Sequence, residues 1–504
     1  MSQGVLGFKY EEEKQETGMT GLAGLPVYLD LMHAMGLPEM IGRHLRIKER
    51  GWTDAQVVTA VLLLNIAGGD CVEDLRKLEK DEGFCRILRR VEQLGMKRKE
   101  RRELERRWRK ERWRSVPSAS AVFRYLSAFH DGEQEKKRIE GKAFIPVANE
   151  HLRGLVKVNQ EMVVFMQKGA PQKTATLDED AVLVETAKED ALYSYKGSKS
   201  YQPFNTWWAE QQVVLHTEFR DGNVPAGHEQ LRVFKECLEM LPEGVENVRL
   251  RSDTAGYQHA LLRYCAQGKH ERFGRIEFAV GADVTQEFKK AVMTEVKDQE
   301  WKPLYKEVDG HRIKTNQEWA EVCFIPDAIG HHKGDPRYRY LAIREPMGSM
   351  ELPGMPQAEL PFPTVRIDCQ QYKLFGLVTN MDWEGEELIH WHRERCGKSE
   401  EAHSVMKGDF AGGKLPSGDF GENAAWWWIM ILAMNLNTIM KRLVLGGSWV
   451  SRRMKAIRFS LITIPGRIIE RSRELIIRLV KGHPALAVYL EARHRIAELI
   501  PAPG

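Results

Sequence analysis

Cysteine is scarce and poorly placed for structural chemistry. The seven residues, Cys71, Cys85, Cys237, Cys265, Cys323, Cys369 and Cys396, are odd in number, scattered, and nowhere form a Cys-x-x-Cys pair. That pattern argues against a disulfide framework and a structural zinc site, and a reducing compartment fits best. Charge of one sign is also lacking: Lys plus Arg exceeds Asp plus Glu by only 75 − 71 = +4, so any attraction to a polyanion has to come from local clustering. The N-terminal stretch MSQGVLGFKYEEEKQE carries acids where an export signal needs an apolar core. The longest apolar run, AAWWWIMILAM from Ala424 to Met434, has 11 residues against the roughly 20 that span a bilayer. It reads as a buried helix, and the expectation is a soluble, cytoplasmic protein.

What is present is a chain of 504 residues with 42% hydrophobic content, enough for a sizeable core and two to four domains. From Leu25 to Arg90 the apolar residues recur at three-to-four spacing, as in DAQVVTAVLLLNIAGG, where Thr53 and Asp54 suit a helix start and Gly68-Gly69 a helix end. The stretch Lys97 to Arg114 contains 11 basic and four acidic residues. Arg106, Arg107, Arg109 and Lys110 within it suit a helix laid along a phosphate backbone, and they equally suit a solvated helix stabilised by pairs such as Glu105 with Arg109. The tail from Lys441 to Lys481 carries 11 basic and two acidic residues, a second candidate DNA-contacting surface.

The period changes to two at Lys173. TATLDEDAVLVET reads as a strand with Asp178 and Asp180 on one face, QQVVLHTEF as a second strand, HEQLRVFKECLEML as a helix and VENVRLRSD as a strand ending on Asp253. Further strands follow between Pro-rich stretches. RERCGKSEEAHSVMKGD, from Arg393 to Asp409, then reads as a helix with Glu400, His403 and Lys407 on one face. Two acids on strands and one on a later helix form a donor set suited to divalent cations, because hard Mg²⁺ takes a few carboxylates and retains water. With 71 acids in the chain, an Asp-Asp-Glu triplet alone carries no weight; the elements bearing the acids do.

Taken together, LDEDAVLVETAKEDALYSYKGSKSYQP, RDGN, RSDTAGY, VTN and SEEAHSVMKGD resemble the DDE transposases of bacterial insertion sequences, transposase DDE domain group 1, over most of the chain from about Tyr28. The resemblance implies an RNase H-like α/β core at 166–264 and 372–445, interrupted by a β-rich insertion at 265–371. It places a helical DNA-binding region at 1–165 ahead of the core and a basic helical region at 446–504 behind it. Carried over by position, the catalytic, metal-holding acids fall on Asp180, Asp253 and Glu400, with Asp178 a near rival for the first. Lys407 follows Glu400 at the family's spacing and would hold a DNA phosphate, assisted by Arg395. The family's Arg and Tyr ahead of the Glu fall on Cys396 and Arg393, whereas Arg395 and His392 stand one residue away. The implied activity is binding of terminal inverted repeats, cleavage with Mg²⁺ or Mn²⁺, and joining of 3′-OH ends to target DNA by a homodimer. A nuclease of the same fold that cuts without joining, and an inactive DNA-binding derivative, are the alternatives.

Overall fold

The computed structural model describes residues 11, 17–94, 96–103, 114–326, 336–348, 362–367, 370–471 and 474–500. Two compact units emerge, one of Met1–Lys137, Pro146–Gly169 and Val405–Gly504, the other of Arg138–Ile145 and Ala170–Ser404. The second unit is a mixed α/β structure around one large sheet. Its strands are β1 (Thr174–Ala181), β2 (Phe204–Trp208), β3 (Val213–Glu218), β4 (Asn247–Ser252), β5 (Glu277–Ala282), β6 (Lys302–Val308), β7 (His311–Val322), β8 (Arg339–Pro346), β9 (Thr364–Ile367) and β10 (Gln370–Thr379). The order across the sheet is β3-β2-β1-β4-β5-β10-β8-β7-β6, with β9 paired to β10. β1 to β3 form an antiparallel meander; β4 runs parallel to β1 and β5 parallel to β4. The helices of this unit include α1 (Gln230–Met240), α2 (His259–Ala266), α3 (Gln286–Glu295) and α4 (Gly385–Ser404).

The strands between 265 and 371, read from the sequence as a β-rich insertion, continue the large sheet. β5 pairs with β10, β10 with β8 and β8 with β7, extending the sheet that carries β1 and β4. Leu304, Trp319, Leu341 and Ile343 from these strands share one core with Leu377 of β10 and with Leu388 and Ile389 of α4, and an apolar sheet face needs such a cover. The start of α4 is pinned closely, since a Cβ on Gly385 would lie 2.2 Å from the Trp319 ring. The Glu384 carboxylate accepts from the backbone N–H groups of Glu386 and Glu387, satisfying donors that the first turn leaves open.

In the first unit the apolar run lies in the helix Phe420–Ile439, and all 20 of its residues are buried. The stretch Phe420–Leu445 is long and apolar enough to cross a membrane by length and composition; here the helix Phe420–Ile439 is packed against the helices Asp54–Ala67 and Glu150–Gly169. Its polar groups are paired inside the unit, Asn435 Nδ2 donating to Asn159 Oδ1 at 2.7 Å and Tyr28 donating to Asn437 Oδ1 at 2.8 Å. Thr53 caps Asp54–Ala67 in a reciprocal capping box with Gln56, and Gly68 ends it at φ 98°, as the sequence implies. The stretch 446–504 is not wholly helical. Gly466–Arg471 and Glu474–Arg478 form a hairpin that Met19–Thr20 extends to three strands.

Candidate active site

β1 and β4 lie side by side in the middle of the sheet, and both end at the same edge. Alternation along β1 sends Asp178 and Asp180 toward α4 and Glu179 toward α1, since Asp178 pairs with Arg251, which also reaches α4, Asp180 pairs with Arg395 of α4, and Glu179 meets Gln230 of α1. Asp253 stands one residue past β4. Its Oδ1 accepts from Ala255 N–H at 3.0 Å, so it caps the single 3₁₀ turn Thr254–Gly256. A Cβ on Gly256 would come within 2.5 Å of the Ser252 side chain, and glycine therefore lets the turn fold back tightly onto the strand.

Asp178 and Asp180 differ in their partners. Asp178 is 2% exposed and held in a two-pronged ion pair by Arg251, Nε to Oδ1 at 2.6 Å and Nη2 to Oδ2 at 2.9 Å. Arg251 donates onward to the Trp391 carbonyl at 2.6 Å and to Glu394 at 3.2 Å, fastening β1 and β4 to α4. Both carboxylate oxygens of Asp178 are thus committed to a structural clamp. Asp180 is more open: its Oδ1 accepts from its neighbour Ala181 N–H and its Oδ2 from Arg395 Nη1 at 3.2 Å. Burial pushes the Asp180 carboxyl up to about 6, Arg395 works against that rise, and the nearby charge of Asp253 adds to it. A half-buried carboxylate whose ionisation a neighbouring acid opposes is stabilised in its charged form by a nearby cation.

α4 supplies the third wall. His392 Nε2–H donates to the Ser252 carbonyl at 2.9 Å, directly ahead of Asp253; a carbonyl only accepts, which fixes the tautomer. Burial lowers this imidazole to about 4, so it is neutral near pH 7. Arg395, expected at a DNA phosphate, is 6% exposed and serves as counter-ion to Asp180. Its Nε has no hydrogen-bond partner. Glu400 lies five residues further along α4 and is exposed. At helical geometry that is a rise of about 7.5 Å and a turn of about 140° from Arg395. Among the described residues, the three-member group of His, Cys, Asp or Glu whose ligand atoms all lie within 4.8 Å of one another is Asp70, Cys71 and Asp74. Glu400 is therefore not gathered with the two aspartates into a closed triad.

Lys407 is exposed on the π-helical turn Val405–Asp409, in the other compact unit. Arg106, Arg107, Arg109 and Lys110 lie outside the described residues. Part of the basic tail is engaged structurally: Arg453 and Lys455 pair with buried Asp409, and Arg458 donates to the Asn65 and Ile66 carbonyls. Arg467, Arg471 and Arg478 of the hairpin remain exposed. Sequence reasoning missed Glu179, Gln230 and Arg251. Glu179 is fully buried, and burial raises its carboxyl to about 8; strand alternation placed it opposite its two neighbours, but nothing in the sequence marked that face as closed.

The family model for transposase DDE domain group 1 matches residues 13–501. The chain belongs to that family. No curated protein matches it. Among solved structures it is similar to the piggyBac transposase synaptic complex with hairpin DNA, at 12% identity over 95% of this chain and 86% of that one, with a TM-score of 0.39. DDE transposases use divalent metal ions, and the donors here fit such an ion. Asp180 and Asp253 offer only oxygen, as hard cations require, and the guanidinium of Arg395 reaches Asp180 through a single contact at 3.2 Å.

The raised Asp180 carboxyl makes stability depend on pH. Its folded value of about 6 lies above the unfolded value of about 3.9, so the folded protein binds the proton more tightly. The stabilisation from protonation is full below about pH 4 and is lost as pH rises through about 6. In thermal melts of the metal-free protein, the wild type should lose stability relative to Asp180→Asn between about pH 4.5 and about pH 8, and divalent metal should restore it at the upper end. A pH-independent difference between the two proteins would count against the raised value.

Proposed function

We propose that the chain is a DNA transposase that binds the terminal inverted repeats of an insertion sequence, cleaves at the element ends with Mg²⁺ or Mn²⁺, and joins the 3′-OH ends to target DNA. The observation that carries this reading is the pairing of Asp180 and Asp253 at adjacent ends of parallel strands, in a chain that belongs to the DDE family. The order β3-β2-β1-β4-β5, an antiparallel meander followed by two parallel strands, supports an RNase H-like core with those acids at its centre.

In this reading Asp180, Asp253 and Glu400 hold the metal, Glu400 being assigned by its spacing to Lys407. The ions, when bound, favour deprotonation of the attacking oxygen and stabilise charge on the departing 3′ oxygen. In cleavage a water oxygen attacks the phosphorus, the bond to the 3′ oxygen breaks, and that oxygen leaves as a 3′-OH. In joining, this hydroxyl attacks a target phosphorus and the target's own 3′ oxygen departs, so one phosphodiester replaces another without a covalent enzyme intermediate. The chain's residues bind and orient: Arg251 fastens β1 and β4 to α4, His392 holds the end of β4, and Arg395 compensates Asp180 until a divalent cation does so. Lys407 holds a DNA phosphate, and a homodimer brings two element ends together.

Two tests bear on the DNA side. The DNA flanking the gene should contain inverted repeats bracketed by short direct repeats, and the purified protein should retard a duplex bearing those repeats more strongly than a scrambled one. Neutralising Arg106, Arg107, Arg109 and Lys110 together should weaken that binding and lower the slope of log affinity against log salt by about 3 to 4. An unchanged slope would return the segment to the class of solvated helices.

A further inference from the structure

Behind the two aspartates, on the opposite face of the sheet, one buried amide joins the residues that precede them. Glu179 and Ser252, each one position ahead of Asp180 and Asp253, are register partners on β1 and β4. Gln230 of α1 is 0% exposed and donates from Nε2 to Glu179 Oε2 at 2.6 Å and to Ser252 Oγ at 3.2 Å. Its Oε1 faces Gln258 Nε2 at 3.5 Å, and that same Nε2 donates to the Ala255 carbonyl at 3.0 Å and to the Gly227 carbonyl. Ala255 N–H in turn holds Asp253 Oδ1. The chain of contacts thus runs from the strand of the first aspartate, through two glutamines, to the turn that orients the second. The packing leaves little slack, since a Cβ on Gly227 would sit 2.6 Å from Gln258 Nε2.

We propose that Gln230 and Gln258 are positioning residues that set the separation of Asp180 and Asp253, and with it the affinity for divalent metal, without touching the metal. The inference rests on the metal-holding role given to those aspartates above. Partners outside the ligand shell commonly change metal affinity about 10-fold to 100-fold when removed. Methionine matches glutamine in length and flexibility and cannot donate, so Gln230→Met and Gln258→Met remove the bonds with little change in volume.

The experiment measures Mn²⁺ binding by calorimetry on the full chain, alongside the Mn²⁺ dependence of DNA cleavage, for wild type, Asp180→Asn and the two methionine variants. Both variants are expected to melt cooperatively, to bind Mn²⁺ about 10-fold more weakly or worse, and to need correspondingly more Mn²⁺ for half-maximal cleavage. Gln258 is only partly buried, so its variant keeps the test decisive if Gln230→Met does not fold. Wild-type Mn²⁺ affinity in the folded variants would overturn the proposal, and so would unfolding of both, which would assign the glutamines to stability alone. If wild type and Asp180→Asn bind Mn²⁺ alike, the metal reading itself fails and this inference falls with it.

Discussion

Asp180→Asn and Asp253→Asn should each reduce metal-dependent DNA cleavage by at least about a thousandfold, while binding of the terminal repeat changes less than about threefold. The size follows from what the substitution removes. An amide is of nearly the same shape as the carboxylate but carries no charge, so the fold and DNA surface persist while the cation loses an anionic oxygen. Stabilising the charge of a phosphoryl transition state is the main way such a site accelerates the reaction. Asp180 Oδ1 accepts from its neighbour Ala181 and Asp253 Oδ1 from Ala255, contacts that an amide oxygen reproduces, whereas Asp180→Asn gives up the ion pair of Oδ2 with Arg395, so a cooperative melt of that variant is required before its cleavage is scored. Glu400→Gln should have the same effect. Gel-based cleavage assays with matched binding curves decide each residue separately, and full cleavage by any one variant removes that residue from the site.

A second large effect is expected at Arg251, and it is one of stability. Arg251→Met should lower the unfolding free energy by about 3–5 kcal/mol, since it leaves Asp178 buried with its charge uncompensated. Asp178 is 2% exposed and Arg251 has a side-chain exposure of 1%, so water cannot take over the lost contacts. The double variant Asp178→Asn with Arg251→Met should recover part of the loss, because the unpaired charge goes with its partner. Denaturant unfolding of wild type, the two single variants and the double variant measures the coupling. A loss below about 1 kcal/mol for Arg251→Met would return Asp178 to candidacy as the first metal-binding acid.

The legibility of this protein differed from element to element for identifiable reasons. The period-two run TATLDEDA and the strand that stops one residue short of Asp253 were readable because a central strand and its terminal turn leave strong local signals, here Thr254-Ala255-Gly256. The helix Phe420–Ile439 was readable from its apolar run alone. The continuity of the sheet through β5, β10, β8 and β7 was not, since strand pairing between distant segments leaves no local trace, and Pro-rich stretches between them suggested a separate subdomain. At the site, the motif spacing pointed to Asp180, Asp253 and Glu400, with Asp178 the near rival, and the structure pairs Asp178 with Arg251. Arg395 was noticed for its sequence position, but its burial against Asp180 depends on how α4 crosses β1 and β4. Gln230 lay in an ordinary amphipathic helix, and only the register of Glu179 with Ser252 gives its amide a purpose.

The measurement that bears most directly on the central claim is a strand-transfer assay with a duplex carrying the element's terminal repeat, 5′-labelled on the transferred strand, together with a supercoiled target plasmid and Mg²⁺. The account predicts cleavage at the repeat end followed by label covalently joined to the plasmid, both lost in Asp180→Asn and Asp253→Asn. Cleaved ends that never join the plasmid would contradict the transposase reading and leave a nuclease. Joining that persists in either aspartate variant would contradict the site.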